Sequence, residues 1–115
     1  MTCPIGINPL TWSNDDMPEL GGDTPLETCL SEAKLAGYDG VELGHKFPRT
    51  PDALRPILAR HGLRLASGWY SAHLLERSAA EEIRAIEGHL SLLQAMGATA
   101  MVLRTMRRRA LPGAL

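Results

Sequence analysis

Short apolar segments alternate with amphipathic segments along this sequence. The apolar segments lie near residues 5–7, 40–44, 63–70 and 100–103, and each has the length of a buried strand. The segments between them repeat apolar residues every three or four positions, which is typical of helices. Alternating strands and helices form a parallel sheet, and eight such units make a barrel of about 250 residues. We therefore expect an α/β domain with about half of such a barrel: about four parallel strands and three helices.

Capping residues and glycines mark the expected ends of the three helices. A hydroxyl side chain three residues before a glutamate predicts a capping box, and a glycine after the last apolar residue ends a helix in the left-handed conformation. The residues expected at the starts are Thr24 with Glu27, Thr50, and Ser78 with Glu81. The glycines expected at the ends are Gly37, Gly62 and Gly97. Pro56 lies inside the second helix and should kink it or shift its start, because proline lacks an amide hydrogen.

Each predicted helix has one apolar face that should pack on the sheet. The residues assigned to these faces are Leu26, Cys29, Leu30 and Ala33 in the first helix, Leu54, Ile57 and Leu58 in the second, and Ile83, Ile86, Leu90 and Leu93 in the third. Together with the apolar strands, these faces are sufficient for one core, so we expect a single domain.

Charge and cysteine content exclude several classes of protein. The formal net charge is -1, so the sequence has no general basic field for nucleic acid. Cys3 and Cys29 are too few for a disulfide framework, which fits a reducing cytoplasm. The sequence has neither a secretory signal nor an apolar run of roughly 20 residues. We therefore expect a cytoplasmic protein that does not span a membrane.

Polar side chains follow the first strand at the point where it ends. They are Asn8, Thr11, Trp12, Asn14 and Asp15. Because the carboxyl ends of parallel strands carry the substrate sites of α/β enzymes, we expect a loop that binds hydroxyl groups. Asn8 either donates to and accepts from a polyol or satisfies backbone groups of the loop. Trp12 is either an apolar platform for a ring or a plug at the end of the barrel.

The second strand carries a carboxylate, Glu42, inside an otherwise apolar segment. A buried carboxylate needs a partner. Glu42 therefore binds substrate hydroxyls, orients a base or supports a metal ligand, or else it forms a structural ion pair with a basic neighbour. His45 and Lys46 follow, and they either polarise a carbonyl or bind an oxyanion, or they are solvated loop residues. Glu42 is the strongest candidate of the chain.

Two aromatic residues end the third strand, and a histidine follows them. Trp69 and Tyr70 should point to opposite faces, so only one of them should reach a pocket. His73 in the next loop is a candidate acid or base, whereas His61 at a helix end and His89 within a helix are assigned structural roles. The sequence has no helical metal-binding spacing, no glycine-rich phosphate loop after a strand and no nucleophile elbow.

Several of these segments together resemble a known family. They are residues 5–15, residues 40–44 with the extension 46–48, the turn at residues 61–63 and the strand end at residues 67–70. In this order and spacing, they resemble the N-terminal half of the inosose dehydratases, from about Ile5 to Val102. Those proteins belong to the sugar isomerase and epimerase family of xylose isomerase-like TIM barrels. The resemblance therefore implies the N-terminal half of a (β/α)8 TIM barrel.

The resemblance also implies a lyase that removes water from 2-keto-myo-inositol in myo-inositol catabolism. It implies a divalent metal, manganese or cobalt, held by carboxylates and a histidine on strands of the second half, and those ligands are absent from this chain. The metal would polarise the ketone while a base removes the neighbouring proton and an acid assists departure of the hydroxyl. This half would bind the small-molecule cyclitol or keto-sugar. The candidate substrate-binding residues are Asn8, Trp12, Glu42, His45, Lys46, Trp69, Tyr70 and His73.

The sequence departs from the family after Val102. Residues 1–103 form the expected partial barrel, whereas residues 104–115 form an arginine-rich tail unlike the family. This abrupt change suggests translation in a shifted reading frame or a misplaced gene end. The arginines of the tail lack interleaved aromatic residues, so we assign them to a solvated tail rather than to a nucleic-acid or membrane site.

These observations support functions from different classes. In the first, the chain is part of a metal-dependent inosose dehydratase and by itself lacks the metal site. A close alternative is a sugar-phosphate or keto-sugar isomerase or epimerase on the same barrel. In the second class, the chain is a non-catalytic truncated product that self-associates through its exposed sheet edge. A barrel endonuclease ranks last, because it would need a basic groove and metal ligands.

Overall fold

The computed structural model describes residues 3–14, 17 and 19–105, which form a four-stranded parallel sheet with three helices. The strands are β1 (Gly6–Ile7), β2 (Gly40–Leu43), β3 (Arg64–Ala72) and β4 (Val102–Thr105), and they lie in this order across the sheet. The helices are α1 (Leu26–Leu35), α2 (Pro51–Arg60) and α3 (Ala79–Ala95), and a 3-10 helix (Pro9–Thr11) follows β1. The sheet curls as half of a barrel does, so the predicted half (β/α)8 barrel is confirmed.

The core lies between the two central strands and the helices. Val41 of β2 lies beside Leu65 of β3 in the sheet register, and both are buried against the helices. The buried cluster consists of Leu30, Ala33, Val41, Leu43, Phe47, Leu54, Leu58, Leu63, Leu65, Leu92 and Leu93. Because each large apolar side chain gains about 1.5–3 kcal/mol on leaving water, this layer supplies most of the stability of the described structure.

The predicted glycine ends of the helices are confirmed. Gly37, Gly62 and Gly97 all have positive φ angles, of 97°, 64° and 79°, and each follows the last turn of its helix. A side chain in this conformation would be strained, which is why glycine ends a helix so often. The second helix has the expected limits and continues through Pro56, so the proline does not shift its start.

The two predicted capping boxes have different outcomes. At α3, the Ser78 Oγ accepts from the Glu81 backbone N–H at 3.2 Å, and the Glu81 carboxylate accepts from the Ser78 N–H at 3.4 Å. At α1, the prediction is wrong: Pro25 is the capping residue, and within the described structure no side chain caps this helix. Because Pro25 has an extended ψ of 149°, the helix begins one residue later and Thr24 lies too far from its first turn.

The predicted apolar face of α3 is only half correct. Ile86 and Leu93 are buried, but Ile83 is 63% exposed and Leu90 is 43% exposed. The buried stripe instead includes Glu82, which has the same helical phase as Ile86 and Leu93. A pattern search that weighs hydrophobicity alone does not select a glutamate for a buried face. The faces predicted for α1 and α2 contain all of the buried residues of those helices.

The outer strands differ most from expectation. β1 was expected to be buried, but it has only two ladder residues and Ile5 beside it is 59% exposed. Among the described residues, β1 pairs with a strand on one side only. β4 lies two residues later than predicted and includes Arg104. Residues 106–115 of the predicted tail, and Asp15 of the predicted binding loop, lie outside the described residues.

Candidate substrate-binding site

Glu42 lies at the centre of a small polar cluster where β1, β2 and β3 meet. Its Oε1 accepts from the Asn8 Nδ2 at 3.1 Å, and its Oε2 accepts from the Ser67 Oγ at 3.0 Å. The sheet register shifts between Val41 and Glu42, and this irregularity places Ser67 directly beside Glu42. We call Asn8, Glu42 and Ser67 the carboxylate site.

Local backbone structure fixes the Asn8 side chain of the carboxylate site. Asn8 caps the 3-10 helix that follows β1, and its Oδ1 accepts from the Leu10 N–H at 2.8 Å. Because the amide oxygen faces Leu10, the amide nitrogen must face Glu42. The two roles that the sequence left open for Asn8, a loop cap and a polar group at the strand end, therefore occur together.

The contacts of Glu42 leave part of its hydrogen-bonding capacity available. An ionised carboxylate accepts about four hydrogen bonds, and the two protein donors use about half of them. Within the described residues, both donors are neutral side chains, and no salt bridge of Glu42 is found. Within the described residues, the half-buried Glu42 carboxylate is therefore held only by neutral donors. It is suited to accept hydrogen bonds from the hydroxyl groups of a polyol.

Lys46 and Trp12 tie the loop after β1 to the rest of the fold. The Lys46 ammonium donates to the Gly21 carbonyl at 2.7 Å and to the Thr24 carbonyl. The Trp12 Nε1 donates to the Glu32 Oε2 at 2.6 Å, and its ring packs on the core. Both side chains thus hold the loop in place, and their predicted roles in substrate binding stay predictions.

The other two candidates beside the strand ends are His45 and His73. His45 is exposed in the loop after β2. His73 directly follows β3, and its carbonyl accepts from the N–H groups of Glu76 and Arg77 in a tight turn. Both histidines follow the carboxyl ends of their strands, as predicted, and neither has a hydrogen bond with the carboxylate site within the described residues. Their roles in substrate binding stay predictions.

Trp69 and Tyr70 lie on opposite faces of β3. The Tyr70 ring contacts the His89 ring of α3, with 5.4 Å between the centroids, so Tyr70 faces the helix layer. Trp69 occupies the other face and is 45% exposed. The structure therefore does not bring Tyr70 together with Glu42, whereas Trp69 lies on the face of the sheet that is not covered by α3. The substrate-binding roles predicted for these two residues stay predictions.

A second polar cluster lies behind the sheet, between β3 and α3. Glu82 is 96% buried and lies 3.4 Å from the Arg77 guanidinium, and its oxygens have no hydrogen bond within the described residues. Burial, and secondarily the Glu82 carboxylate, raise the pKa of Tyr70. Burial also lowers the pKa of His89. His89 is half-buried against the Tyr70 ring of β3, whereas the sequence favoured a capping or solvated position for it.

Ser67 is the one member of the carboxylate site that sequence reasoning did not select. Strict alternation from the buried Leu65 would have placed Ser67 on the helix side with it. The register shift beside Glu42 turns Ser67 toward the carboxylate instead. The only signal in the sequence was the run of small residues around Gly68, which indicates space for a ligand near the end of β3.

The strands also border a hollow of about 280 Å³ at the opposite, amino-terminal end of the sheet. It is lined by residues that include Gly6, Gly40, Arg64 and Ala66. Gly6 and Gly40 lack side chains, and a Cβ on either would lie 3.4 Å from the Ala66 Cβ. The hollow follows from these small residues on the concave side of the sheet. It is separate from the carboxylate site.

Comparison with known proteins places this site in a family context. No protein-family model matches the chain. The chain is 56% identical over 102 residues to the rhizopine catabolism protein MocC of Rhizobium meliloti, and 45% identical over 98 residues to the inosose dehydratase of Geobacillus thermodenitrificans. It is 39% identical over 94 residues to the inosose dehydratase of Yersinia enterocolitica. This chain is a partial homologue of the inosose dehydratases.

The match covers most of this chain but only part of its relatives. The three alignments include 89%, 85% and 82% of the chain, and 31%, 33% and 32% of MocC and the two dehydratases. The chain thus spans about a third of the length of the curated relatives that it matches. The resemblance inferred from the sequence is confirmed for this segment.

The resemblance to the inosose dehydratases implies a divalent metal with ligands outside this chain, and this stays a prediction. Among the described residues, no group of three or more His, Cys, Asp or Glu side chains could hold a metal ion. Glu42 is one carboxylate between two neutral donors, which is too few ligands for such an ion. In the same described part, no helix is long and apolar enough to cross a membrane.

Proposed function

We propose that this chain supplies one wall of the substrate site of an inosose dehydratase-like hydro-lyase. The observation that carries the proposal is the carboxylate site, in which Glu42 is held by Asn8 and Ser67 at the carboxyl end of the sheet. The names of the relatives supply the substrate class, which is a cyclitol ketone. We further propose that the protein acts in the cytoplasm.

The hydrogen-bonding pattern of the carboxylate site suits neighbouring hydroxyl groups. Glu42 accepts from one hydroxyl through the lone pairs that its protein donors leave available. The Ser67 Oγ donates its proton to Glu42, so its own lone pairs are available to a hydroxyl donor. The second N–H of the Asn8 amide can donate to a hydroxyl oxygen. Because the three side chains are fixed by one another, they are already ordered before a ligand binds.

In this proposal, the metal of the family is held by residues outside these 115. Manganese or cobalt would polarise the ketone of the substrate there. The role of this chain is to bind and orient the hydroxyl groups, and we therefore expect no turnover from the chain alone. Metal-dependent loss of 2-keto-myo-inositol with the purified chain would contradict this part of the proposal.

A second candidate is a reaction of rhizopine catabolism. It is supported by the 56% identity with MocC, which exceeds the identity with the two dehydratases above. The two candidates differ in the preferred ligand rather than in the residues that bind it. A direct competition between 2-keto-myo-inositol and a rhizopine for the chain therefore separates them.

Ligand binding by the intact 115-residue chain tests the proposed site. We expect 2-keto-myo-inositol to bind, and Glu42→Gln to weaken binding at least about tenfold, because hydrogen bonds to a charged group contribute about 1.5–3 kcal/mol. The matched control is Glu87→Gln, which removes an exposed carboxylate of α3. Calorimetry measures both affinities, and circular dichroism checks the fold of each variant. No binding, or equal loss in both variants, would contradict the proposal.

The reaction class is tested in a chimera. In it, residues 5–102 of this chain replace the aligned segment of the Geobacillus thermodenitrificans inosose dehydratase. We expect the chimera to release water from 2-keto-myo-inositol. Exchange of stereochemistry without water loss would instead support the isomerase or epimerase alternative.

A further inference from the structure

A buried charge lies on the helix side of the sheet, away from the carboxylate site. Glu82 is 4% exposed, and it lies on the stripe of α3 that also buries Ile86 and Leu93. Both oxygens of its carboxylate lack a hydrogen bond within the described residues. An apolar side chain would fill this position without the cost of removing a charge from water. Packing alone therefore does not account for a glutamate at this position.

The charged partner of Glu82 comes from the loop between β3 and α3. The Arg77 guanidinium lies 3.4 Å from the Glu82 Oε2. The Arg77 side chain is 37% exposed and that of Glu82 is 6% exposed, so the arginine reaches inward from the surface. Glu82 also lies in the first turn of α3, where the positive end of a helix favours a negative side chain. Both effects offset part of the cost of burying the charge.

Tyr70 joins this pair to the end of β3. Its ring lies on the helix side of the sheet, against the ring of His89. Burial raises the pKa of Tyr70, and the Glu82 carboxylate adds to this rise while Arg77 opposes it. The phenol therefore lies close to both charged groups. Three successive segments, the end of β3, the loop and the first turn of α3, thus converge on Glu82.

The backbone around Arg77 forms a tight turn at residues 73–77, which we call the β3–α3 turn. The His73 carbonyl accepts from the N–H groups of Glu76 and Arg77, both at 2.9 Å. Leu75 near the tip of the turn is 68% exposed, so burial of its side chain contributes little to the order of the turn. The contact between Arg77 and Glu82 therefore ties the turn to the buried layer beneath it.

We propose that Glu82 is a positioning residue, which acts through Arg77 to hold the β3–α3 turn and His73 at the carboxyl end of the sheet. The substrate sites of α/β barrels are built from the loops at this end. A turn that is already ordered loses less entropy when a ligand binds. The role toward the ligand rests on the function proposed above, whereas the hold on the turn does not depend on it.

NMR relaxation of the intact chain measures the order of the β3–α3 turn. Glu82→Gln removes the charge and keeps the size of the side chain, and the matched control is Glu87→Gln on the exposed side of α3. We expect the backbone order parameters of residues 74–77 to fall from about 0.85 to below about 0.6 in Glu82→Gln only. Val41 in the central sheet should stay rigid in both variants. Unchanged order of the turn in Glu82→Gln overturns the proposal.

Two substitutions of Arg77 test whether Glu82 acts through this arginine. Arg77→Gln should loosen the turn as Glu82→Gln does, whereas Arg77→Lys should keep it ordered, because one ammonium can make the single contact. In the Arg77→Gln background, Glu82→Gln should add no further mobility. Equal order in Arg77→Gln and Arg77→Lys, or additive effects of Arg77→Gln and Glu82→Gln, overturns the proposal. Because Arg77 is partly exposed, its variants decide the question even when Glu82→Gln does not fold.

Titration with 2-keto-myo-inositol separates this proposal from the function proposed above. We expect Arg77→Gln to weaken binding by about threefold to tenfold, while the signals of Asn8 and Glu42 still shift and the order of Val41 is unchanged. A mobile turn with unchanged affinity overturns the positioning role. No binding by the unaltered chain contradicts the proposed function and the role toward the ligand, and the relaxation data then decide by themselves whether Glu82 holds the turn.

Discussion

The central strands and the outer strands of this half barrel lie in different environments. Val41 of β2 is buried between neighbouring strands and below the helices, whereas Ile5 beside β1 is largely exposed. β2 pairs on both sides, and β1 pairs on one side within the described residues. The comparison shows that the burial of a strand depends on its neighbours as well as on its own hydrophobicity.

Truncation of a core leucine should separate the two regions most strongly. Leu54 of α2 is fully buried on the central strands, and Leu54→Ala should lower the free energy of unfolding by about 3 kcal/mol through lost burial and a cavity. The matched substitution Leu103→Ala on β4 should cost less than about 1 kcal/mol at concentrations where the chain is monomeric. Urea unfolding measures both. Equal losses of unfolding free energy in the two variants would contradict the difference in burial between the core and β4.

Substitution of Gly68 should test the close contact between β3 and α3. A Cβ at Gly68 would lie 2.8 Å from the Leu93 Cδ2 and 3.0 Å from two ring atoms of His89. Gly68→Ala should therefore lower the free energy of unfolding by about 1–2 kcal/mol. The control Gly88→Ala lies on α3 with no atom within 4 Å of its Cβ among the described residues, and it should stabilise the helix by about 0.5–1 kcal/mol. Effects of the same sign would contradict the packing described here.

Substitutions at the starts of α3 and α1 should differ less in their effect on the free energy of unfolding. Ser78→Ala should lower the free energy of unfolding by about 1 kcal/mol, because it removes the hydroxyl that caps α3. Thr24→Ala should change it by less than about 0.5 kcal/mol, because the Thr24 side chain does not cap α1. Thermal unfolding of both variants provides the comparison. A large effect of Thr24→Ala would indicate that Thr24 caps α1, as the sequence predicted.

The smallest expected effect is a pH dependence from His89. Burial holds the pKa of His89 in the folded chain below its ordinary value of 6.5. The unfolded chain therefore binds more protons, and the contribution of neutral His89 to stability is present above about pH 6.5 and is lost as the pH falls through the folded-state pKa. Unfolding at several pH values should show a shallower slope in His89→Leu than in the unaltered chain. An identical slope would exclude His89 as its source.

Much of the fold could be predicted because local chemistry and tertiary structure agree. The glycines at positions 37, 62 and 97 end helices through their backbone conformation alone. The apolar faces of α1 and α2 could be found for the same reason, since spacing every three or four residues is a local property. The start of α1 could not, because Pro25 has an extended conformation and moves the first helical residue beyond the reach of Thr24.

The candidate site could be predicted only where one residue was chemically unusual. Glu42 was found because a carboxylate within an apolar strand needs partners, and Asn8 because it ends a strand. Ser67 was not found, because its contact with Glu42 depends on a register shift between two strands. The choice between Trp69 and Tyr70 also needed the structure, because alternation gives opposite faces without saying which face carries the site.

The proposed binding of a cyclitol ketone at the carboxylate site has a direct test. Titration of 2-keto-myo-inositol into the isotope-labelled 115-residue chain, followed by NMR, would locate the ligand. We predict shifts in the side-chain amide signals of Asn8 and in the backbone amides of Glu42 and Ser67, with Tyr70 and His89 unchanged. Saturable shifts confined to residues between β3 and α3, or no shifts at all, would contradict binding at the carboxylate site.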